Sequence, residues 1–349
     1  RRLQRDPGLE GVGLVIFDEF HERSLQADLG LALAIDARRH LRPDLRLLVM
    51  SATLDGDGVA ALLGGGAHGE PAGKPAAGTG ATTHDPAAGN SVDDGAPAPI
   101  VTSDARSHPV DIRWAPRRPR QHIEPAVVAA DRQVLRTEPD GDVLVFLPGA
   151  AEINRVAEQL ATALPEGAPV DVHLLYGALP AGDQDAALVP GLPGRRKVVL
   201  ATDIAETSLT VEGVSIVVDG GLARRPVFDA TTGLTRLETV PASRASADQR
   251  AGRAGRLGRG VAVRLWSKVE HAARRPFTAP EIRQADLAGL GLELAVWGTD
   301  VADLPFLDPP PARALDEARR LLVDLGALAA FDAVEGGGAL VPTDAGREM

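Results

Sequence analysis

The segment richest in reactive side chains is a run of arginines spaced three residues apart. Arg250, Arg253 and Arg256 lie in Gln249-Arg250-Ala251-Gly252-Arg253-Ala254-Gly255-Arg256, with only small residues between them. Because alanine and glycine cover little of their neighbours, this spacing predicts three guanidinium groups projecting from one short helical or turn segment. Such a set of planar cations suits a polyphosphate. The alternative interpretation is a solvated basic face, which is common for arginine-rich stretches.

Two acidic residues, Asp18 and Glu19, directly follow the apolar run of residues 13–17. An uninterrupted apolar run of this length predicts a buried parallel strand, and open α/β sheets bind ligands at the carboxyl ends of such strands. Adjacent carboxylates there suit metal–phosphate chemistry, in which one holds Mg²⁺ through water and the other deprotonates an attacking water. The alternative is an acidic cap of the helix that follows over residues 22–39.

Small hydroxyl residues follow a second apolar strand, predicted over residues 45–50. Ser51 and Thr53 lie in Met50-Ser51-Ala52-Thr53-Leu54. They could relay movement between a nucleotide site and a neighbouring domain. A simple turn or helix cap explains the same residues equally well.

Together these segments resemble the DEAH-box branch of superfamily 2 helicases, a family of ATP-dependent RNA helicases. Most relatives carry alanine at the position of Phe20. By having phenylalanine there, the chain resembles the bacterial HrpB-type helicases. The resemblance covers nearly the whole chain and continues through three further segments: Phe146-Leu147-Pro148-Gly149, Leu174-Leu175-Tyr176-Gly177-Ala178-Leu179-Pro180 and Ala201-Thr202-Asp203-Ile204-Ala205-Glu206-Thr207-Ser208-Leu209-Thr210.

The resemblance implies an α/β fold, with tandem RecA-like parallel-sheet domains followed by a mostly helical winged-helix domain. We expect the C-terminal part of the first RecA-like domain over residues 1–120, the second over 121–268 and the winged helix over 269–349. A helix-turn-helix that reads DNA is the competing hypothesis for the last domain, but neither of its predicted helices has a basic face.

Two segments interrupt these domains. Residues 64–99 contain almost no large apolar side chain, which predicts a disordered low-complexity insert in the first domain. Two alternating runs around a Thr-Thr-Gly turn predict a β-hairpin at about 225–240. In the family that the chain resembles, a hairpin here projects toward the duplex junction.

Hydrophobic periodicity predicts the elements that position these motifs. Beyond the strands named above, strand character appears over residues 100–101, 110–114, 143–146, 170–175, 197–201, 215–219 and 261–265. Helical patterns appear over residues 25–39, 125–135, 152–164, 281–297 and 312–325, and the sequence after the last helix is strand-poor and glycine-rich.

The resemblance also implies roles in ATP hydrolysis. Asp18 would hold Mg²⁺ through water, Glu19 would be the general base for the hydrolytic water, and His21 would link the nucleotide site to the second domain. Two arginines of the second domain would act as fingers on the γ-phosphate, beside a neighbouring glutamine. The residues that reach ATP from that domain are Gln249, Arg253 and Arg256.

Further positions are implied to couple the domains or to contact nucleic acid. Ser51 and Thr53 would transmit closure of the cleft between the domains. Two departures stand near these motifs: Asp203 replaces the usual asparagine, and Leu188 replaces an aromatic residue that stacks on adenine in many relatives. Three positions meet the nucleic-acid backbone in the family: Gly149, Thr202 and Thr207.

No Gly-x-x-x-x-Gly-Lys-Ser/Thr loop occurs in the 349 residues, although this family needs one to hold the phosphates. We therefore expect a fragment whose first domain lacks its opening half, which lacks the C-terminal accessory domains, and which is inactive by itself. The absence of cysteine excludes disulfides and thiolate zinc sites, and no apolar span reaches the roughly 20 residues that a bilayer crossing needs. This composition is that of a cytoplasmic enzyme.

The net charge of −11 argues against a diffuse electrostatic hold on nucleic acid, so binding must be local, in a channel. The favoured hypothesis is an ATP-dependent helicase or translocase acting on single-stranded nucleic acid, with RNA favoured over DNA by the resemblance. Two alternatives from other classes stay open. One is a nucleic-acid-binding module without ATPase activity, and the other is a module that docks on other proteins.

Overall fold

A computed structural model describes residues 2–52, 56–65, 96–102, 108–118, 120–206, 209–229, 232–331 and 339–349. Thr53, Thr207 and most of the predicted insert, residues 66–95, lie outside the described residues. The helices are α1 (Arg2–Arg5), α2 (Leu25–His40), α3 (Gly56–Leu63), α4 (Ile123–Thr137), α5 (Ala150–Ala163), α6 (Ala181–Leu188), α7 (Arg244–Gly252), α8 (Lys268–Ala273), α9 (Ala288–Trp297), α10 (Ala312–Asp324) and α11 (Asp344–Glu348).

The strands follow most of the predicted apolar runs to within one or two residues. They are β1 (Leu14–Phe17), β2 (Arg46–Val49), β3 (Val110–Trp114), β4 (Asp142–Phe146), β5 (Val170–Leu175), β6 (Arg196–Ala201), β7 (Val214–Asp219), β8 (Leu222–Asp229), β9 (Leu234–Pro241), β10 (Gly260–Arg264), β11 (Leu328–Phe331) and β12 (Ala339–Pro342).

The chain divides into two compact units. The first combines residues 1–103 with residues 280–349, and the second is residues 104–279. Within the described residues, no helix combines the length and the apolar character that crossing a membrane requires.

A six-stranded parallel sheet forms the centre of the second unit, with strand order β3-β10-β7-β4-β6-β5. Helices α4 and α5 cover one face, where Val143 and Val145 contribute to the core. Helices α6 and α7 cover the other face, where Leu144 and Phe146 are buried. Since both faces are covered, the central strands are apolar at successive positions, which is why periodicity located them. The predicted RecA-like α/β fold is confirmed.

The unit boundary differs from the predicted domain boundary at residue 120. Strand β3 pairs in parallel with β10 along its whole length, from Val110 opposite Gly260 to Trp114 opposite Arg264, so it belongs to the second unit. Residues 280–349 likewise pack within the first unit rather than forming a unit of their own. A five-residue strand carries no sequence signal for its partner strand, so only the tertiary structure shows the pairing. The predicted strand at residues 100–101 is absent, and both residues are exposed.

Helix α2 is the central element of the first unit. Ser24 begins it by accepting a hydrogen bond from the Ala27 amide at 3.2 Å. One side of α2 packs against α9 and α10 through Leu29 and Leu33, and another side packs against the strands and α3 through Leu31 and Ile35. The predicted amphipathic helix is therefore buried on two sides.

Strands β1 and β2 form a two-stranded parallel sheet whose register runs from Leu14 opposite Arg46 to Phe17 opposite Val49. The prediction of a fully buried strand is wrong for β1. Alternate side chains are exposed, 46% for Leu14 and 51% for Ile16, because α2 covers only one face of the sheet.

The described part of the last seventy residues contains the helices α9, α10 and α11 and an antiparallel strand pair, β11 with β12. The expectation of a strand-poor end is wrong here, because short strands of small residues give little periodic signal. The helix predicted over residues 281–297 is also interrupted. It consists of a 3₁₀ turn at Glu281–Arg283 and then α9, and the Asp286 carboxylate accepts a hydrogen bond from the Ala288 amide at 2.9 Å. Two helices followed by a strand pair fit the winged-helix assignment, which stays a prediction.

Asp131 on α4 offers a test of the core of the second unit. Its side chain is fully buried and neither carboxylate oxygen has a hydrogen-bond partner, so burial raises the pKa of Asp131 well above its ordinary value. The pKa of Asp131 is higher in the folded state than in the unfolded state, so this group's contribution to stability is fully present only below about pH 4. As pH rises from there toward the folded pKa, the free energy of unfolding falls by about 1.4 kcal/mol per pH unit. We expect Asp131→Leu to be more stable than the wild type at pH 7. In urea unfolding the difference should shrink toward pH 4; a difference independent of pH would contradict burial of a neutral acid.

Candidate functional site

The acidic motif lies at the carboxyl end of β1, as the sequence predicts. Asp18 is exposed, and its carboxylate accepts a hydrogen bond from the Glu19 amide at 2.8 Å. Glu19 has a left-handed backbone with φ of 50°, and its side chain is 40% exposed. A non-glycine residue in this conformation is strained, and such strain is found preferentially at functional sites. Both carboxylates can therefore reach a ligand above the sheet edge.

His21 connects this motif to the loop that follows β2. Its Nδ1 accepts a hydrogen bond from the Ala52 amide at 3.4 Å and lies 3.5 Å from Oε2 of Glu19, and its side chain is only 6% exposed. The Phe20 amide also donates to the Met50 carbonyl, at 3.0 Å. The ends of the parallel strands β1 and β2 meet at one edge of their sheet. The structure thus brings Asp18, Glu19 and His21 beside Ser51.

Phe20 fixes the acidic motif to the core of the first unit. Its ring is fully buried among Leu31, Ile35, Val59 and Leu62. It meets Phe17 edge to face, with 6.4 Å between the ring centroids. The residue that distinguished this chain from most relatives is therefore a packing residue, and its fit against α2 and α3 explains why an aromatic side chain stands here.

Arg23 is a structural residue of this site that sequence reasoning missed. Its backbone is left-handed with φ of 51°, and its buried guanidinium donates to Asp28 at 3.0 and 3.3 Å and to Asp308 at 2.7 Å. Glu281 adds two hydrogen bonds to the same segment. Its carboxylate accepts one from the Leu25 amide at 2.7 Å, and its own amide donates one to the Arg23 carbonyl. The end of the acidic motif is thus held by residues more than 250 positions later in the chain.

Breaking this ion pair tests its contribution to the first unit. Burial raises the pKa of Asp28 although Arg23 acts to lower it, so the carboxylate depends on its partner to stay charged. We expect Arg23→Met to lower the free energy of unfolding by about 3–5 kcal/mol, since it leaves a buried carboxylate without a counterion. The double variant Arg23→Met/Asp28→Leu should recover a large part of the loss in urea unfolding. Equal losses in the single and double variants would contradict this account.

In the second unit, Arg250 is not a surface group. Its side chain is 1% exposed and donates to Glu206 at 2.9 Å, to Asp219 at 3.1 Å and to the Leu222 carbonyl at 3.1 Å. It also lies over the ring of Phe146, 4.9 Å from its centroid. Burial by itself would lower the pKa of Arg250, but the two carboxylates outweigh burial and raise it. The predicted outward projection is wrong for this arginine.

Arg253 is also covered, whereas Arg256 is exposed. Nε of Arg253 donates to the Glu206 carbonyl and its Nη1 to the Leu209 carbonyl, each at 2.8 Å, and its Nη2 also contacts the Glu206 carbonyl. Arg256 donates to the Thr210 hydroxyl at 2.7 Å. Gly255, one of the small residues between the arginines, serves close packing, since a Cβ there would lie 2.6 Å from the His108 carbonyl oxygen. Of the three arginines, only Arg256 is presented to solvent; Gln249 is half-buried.

These positions predict different effects on stability. We expect Arg253→Ala to lower the free energy of unfolding by about 1.5–3 kcal/mol, because it leaves buried carbonyls that bonded to a charged donor. Arg256→Ala should change it by less than about 1 kcal/mol, since it removes one exposed hydrogen bond. Thermal unfolding of the two variants side by side measures the difference. A larger loss for Arg256→Ala would contradict the burial of Arg253 and the exposure of Arg256.

The predicted nucleic-acid residues lie on adjacent strands of the parallel sheet. Gly149 follows β4 and caps α5, and Thr202 follows β6 and begins a 3₁₀ turn over Asp203–Ala205. Strands β4 and β6 pair to their last residues, and the Leu147 amide donates to the Ala201 carbonyl at 2.9 Å. The structure therefore brings Gly149 and Thr202 to the same sheet edge.

The second departure from the family pattern, Leu188, ends α6 and is half-buried against the core formed by Leu144, Phe146 and Ala187. A leucine in this position contributes to packing within the unit. Its side chain offers no flat ring on which a base could stack.

The described residues contain no group of three or more histidine, aspartate or glutamate side chains suited to binding a metal by themselves. Mg²⁺ in phosphate chemistry does not require one, because it keeps several waters and binds through one or two carboxylates together with substrate phosphates. The exposed carboxylate of Asp18 fits that mode of binding.

Comparisons with known proteins agree with this architecture. The family described as helicase conserved C-terminal domain matches residues 127–258. Over 94% of its length it is 47% identical to the ATP-dependent RNA helicase HrpB of Escherichia coli (strain K12), and over 98% it is 32% identical to the probable ATP-dependent RNA helicase DHX34 of Homo sapiens. These relatives confirm the predicted resemblance to DEAH-box helicases of the HrpB type.

Two solved structures are similar over the same region. Crystal structures of the E. coli protein, described as a DExH-box NTPase and as a DEAH/RHA helicase, match 94% of the chain with TM-scores of 0.77 and 0.79 at 47% identity. This chain covers 36% and 38% of the length of the proteins in those two structures. The chain thus spans about a third of these helicases, and 28% of the human relative.

Proposed function

We propose that this chain is the part of an ATP-dependent RNA helicase that supplies the water-activating carboxylate, the arginine fingers and part of the strand-contacting surface. The observation that carries the proposal is the meeting of two motif loops at the edge of the β1–β2 sheet, where His21 bonds to the Ala52 amide beside the exposed Asp18 and Glu19. Similarity to helicases over 94% of the chain supports the same conclusion. By resemblance alone, the substrate is RNA rather than DNA and the location is cytoplasmic.

In the proposed mechanism, Asp18 holds Mg²⁺ through water, and the ion supplies charge neutralisation on the phosphates when it is bound. Glu19 accepts the proton of the attacking water, for which its partly exposed carboxylate at the strand end is suited. His21 holds the loop after β2 against the acidic motif. A movement at the nucleotide would therefore be transmitted to Ser51 and, by resemblance, to Thr53.

Gln249, Arg253 and Arg256 act on ATP from the second unit in this proposal. Arg256 is exposed and ready to meet a phosphate, whereas Arg253 would have to exchange its bonds to the Glu206 and Leu209 carbonyls for the γ-phosphate. An arginine finger stabilises charge mainly in the transition state. Gly149, Thr202 and Thr207 contact the backbone of the bound strand.

A second candidate function is nucleic-acid binding or protein docking without ATP hydrolysis. The 349 residues contain no Gly-x-x-x-x-Gly-Lys-Ser/Thr loop, so by themselves they offer no such loop to hold the phosphates of ATP. The two candidates differ in whether the carboxylates and arginines of the proposed site act on a nucleotide at all.

An ATPase assay separates the candidates when it is made with two proteins: the 349-residue chain, and a longer protein in which residues 1–349 follow a phosphate-binding loop. We expect background hydrolysis from the first and RNA-stimulated hydrolysis from the second, because the carboxylate and arginines need a loop that presents the phosphates. Arg256→Ala in the second should lower the rate by a factor of about 10³–10⁵ while ATP binding changes only a few-fold.

Two variants serve as references for this assay. Glu19→Gln should abolish hydrolysis, and Arg195→Ala should leave the rate nearly unchanged, because Arg195 is an exposed arginine whose charge partner is Asp171. Equal, small effects of Arg256→Ala and Arg195→Ala would show that Arg256 is only an exposed surface arginine and would favour the second candidate.

A further inference from the structure

The base of the hairpin formed by β8 and β9 is held in one position on the second unit. The Gly221 and Ala242 carbonyls, one before β8 and one after β9, both accept hydrogen bonds from Arg274 at 2.8 Å. The Arg274 guanidinium is itself stacked on Trp266, 4.1 Å from the ring centroid. Together with the bond from Arg250 to the Leu222 carbonyl, these contacts fix where the first residues of β8 lie relative to the sheet edge.

Arg224, the third residue of β8, lies directly over Gly149. A Cβ on Gly149 would be 2.8 Å from Nη1 of Arg224, so the guanidinium lies close against the backbone at this position. Nη2 of Arg224 is 3.8 Å from Oε1 of Glu152, and that oxygen already accepts from Arg155 at 2.9 Å. Nε of Arg224 and Oε2 of Glu152 are both buried without a hydrogen-bond partner. The ion pair between Arg224 and Glu152 is therefore a long contact, which positions the guanidinium without a short hydrogen bond.

Arg225, the next residue, reaches the other candidate strand-binding segment. Its Nη1 is 3.5 Å from Oδ2 of Asp203, and each side chain is about one-third exposed, 35% and 36%. Asp203 directly follows Thr202 and is the residue that departs from the asparagine of the family pattern. The negative charge at this departure is thus paired with an arginine of the hairpin.

The two arginines and the sheet edge present the groups that a phosphate diester binds. A guanidinium donates two parallel hydrogen bonds to phosphate oxygens, and the N-terminus of α5 at Gly149 adds backbone amides with a favourable dipole. The contacts of 3.8 and 3.5 Å to the carboxylates are longer than the 2.9 and 3.1 Å contacts that hold buried Arg250 in the same unit. A phosphate can therefore displace these carboxylates at small cost.

We propose that Arg224 and Arg225 bind phosphates of a single-stranded nucleic-acid backbone lying over Gly149 and Thr202, and that Glu152 and Asp203 hold the two guanidinium groups when no strand is bound. The inference rests on the proposed function, since it names further residues of its strand-contacting surface. Asp203 then acts as an intramolecular competitor of the strand, which weakens binding and keeps Arg225 in position.

Fluorescence anisotropy of a labelled oligouridine strand, titrated with the 349-residue chain at several salt concentrations, tests the proposal. We expect Arg224→Gln and Arg225→Gln each to weaken binding several-fold and to reduce the slope of log affinity against log salt by about 0.7, the value for one phosphate contact on a single strand. Asp203→Asn should bind more tightly than the wild type, because it removes the competing charge. An oligodeoxythymidine strand should show the same dependence on both arginines, since the recognised group is the phosphate.

Arg236→Gln is the matched control, because Arg236 lies on the partner strand of the same hairpin, is 64% exposed and pairs with Glu238. It should leave the salt slope unchanged. Circular dichroism confirms folding of each variant, and Arg224→Lys and Arg225→Lys, which retain the charge, should recover most of the salt slope.

If Arg224→Gln and Arg225→Gln both bind with the affinity and salt slope of the wild type, the inference is overturned and the proposed function stands. The same loss of slope in Arg236→Gln would also overturn it, since it would indicate general attraction to a basic hairpin. No binding of either strand by the wild type would remove the inference together with the nucleic-acid part of the proposed function.

Discussion

The second unit depends on one buried charge. Arg250 has to be paired on both sides, since a guanidinium taken out of water is strongly destabilising unless carboxylates and carbonyls surround it. Its partners come from three places in the chain: Glu206 after β6, Asp219 at the end of β7, and the Leu222 carbonyl at the start of the hairpin. One side chain therefore sets the relative positions of the loop after β6, the hairpin and α7.

The first unit uses the same kind of interaction beside its acidic motif. Arg23 is buried against Asp28 and Asp308 two residues after His21, and its left-handed backbone turns the chain from the motif into α2. In both units the arginine that determines geometry stands close to the residues proposed to react, yet is covered by protein. Buried and reactive arginines of one motif have the same sequence signature and differ only in their surroundings.

The hairpin shows how an acidic chain can present a basic surface. The net charge of −11 rules out long-range attraction to a polyanion over the whole molecule, but each exposed arginine near the sheet edge is accompanied by a carboxylate that keeps it ordered. Ordering the long side chains in advance reduces the entropy lost on binding. The proposed binding surface would therefore act over short distances, as a channel that holds a strand does.

Much of the second unit could be predicted from the sequence, because strands covered on both faces contain runs of consecutive apolar residues, as in residues 143–146 of β4, 198–201 of β6 and 216–218 of β7. The acidic motif was located for a related reason, since the end of an apolar run marks the sheet edge where Asp18 emerges. Local order along the chain is sufficient for inferences of this kind.

Which strand pairs with which, and which charges are buried, was decided only by the tertiary structure. Strand β3 joins β10 across about 150 residues, and Arg23 meets Asp308 across 285. Arg250 and Arg256 have similar sequence neighbours but opposite exposure, because Glu206 and Asp219 converge on only one of them. Periodicity reports the environment of a residue along its own helix or strand. Burial of a charge depends on groups brought together from distant parts of the chain, and no local pattern records them.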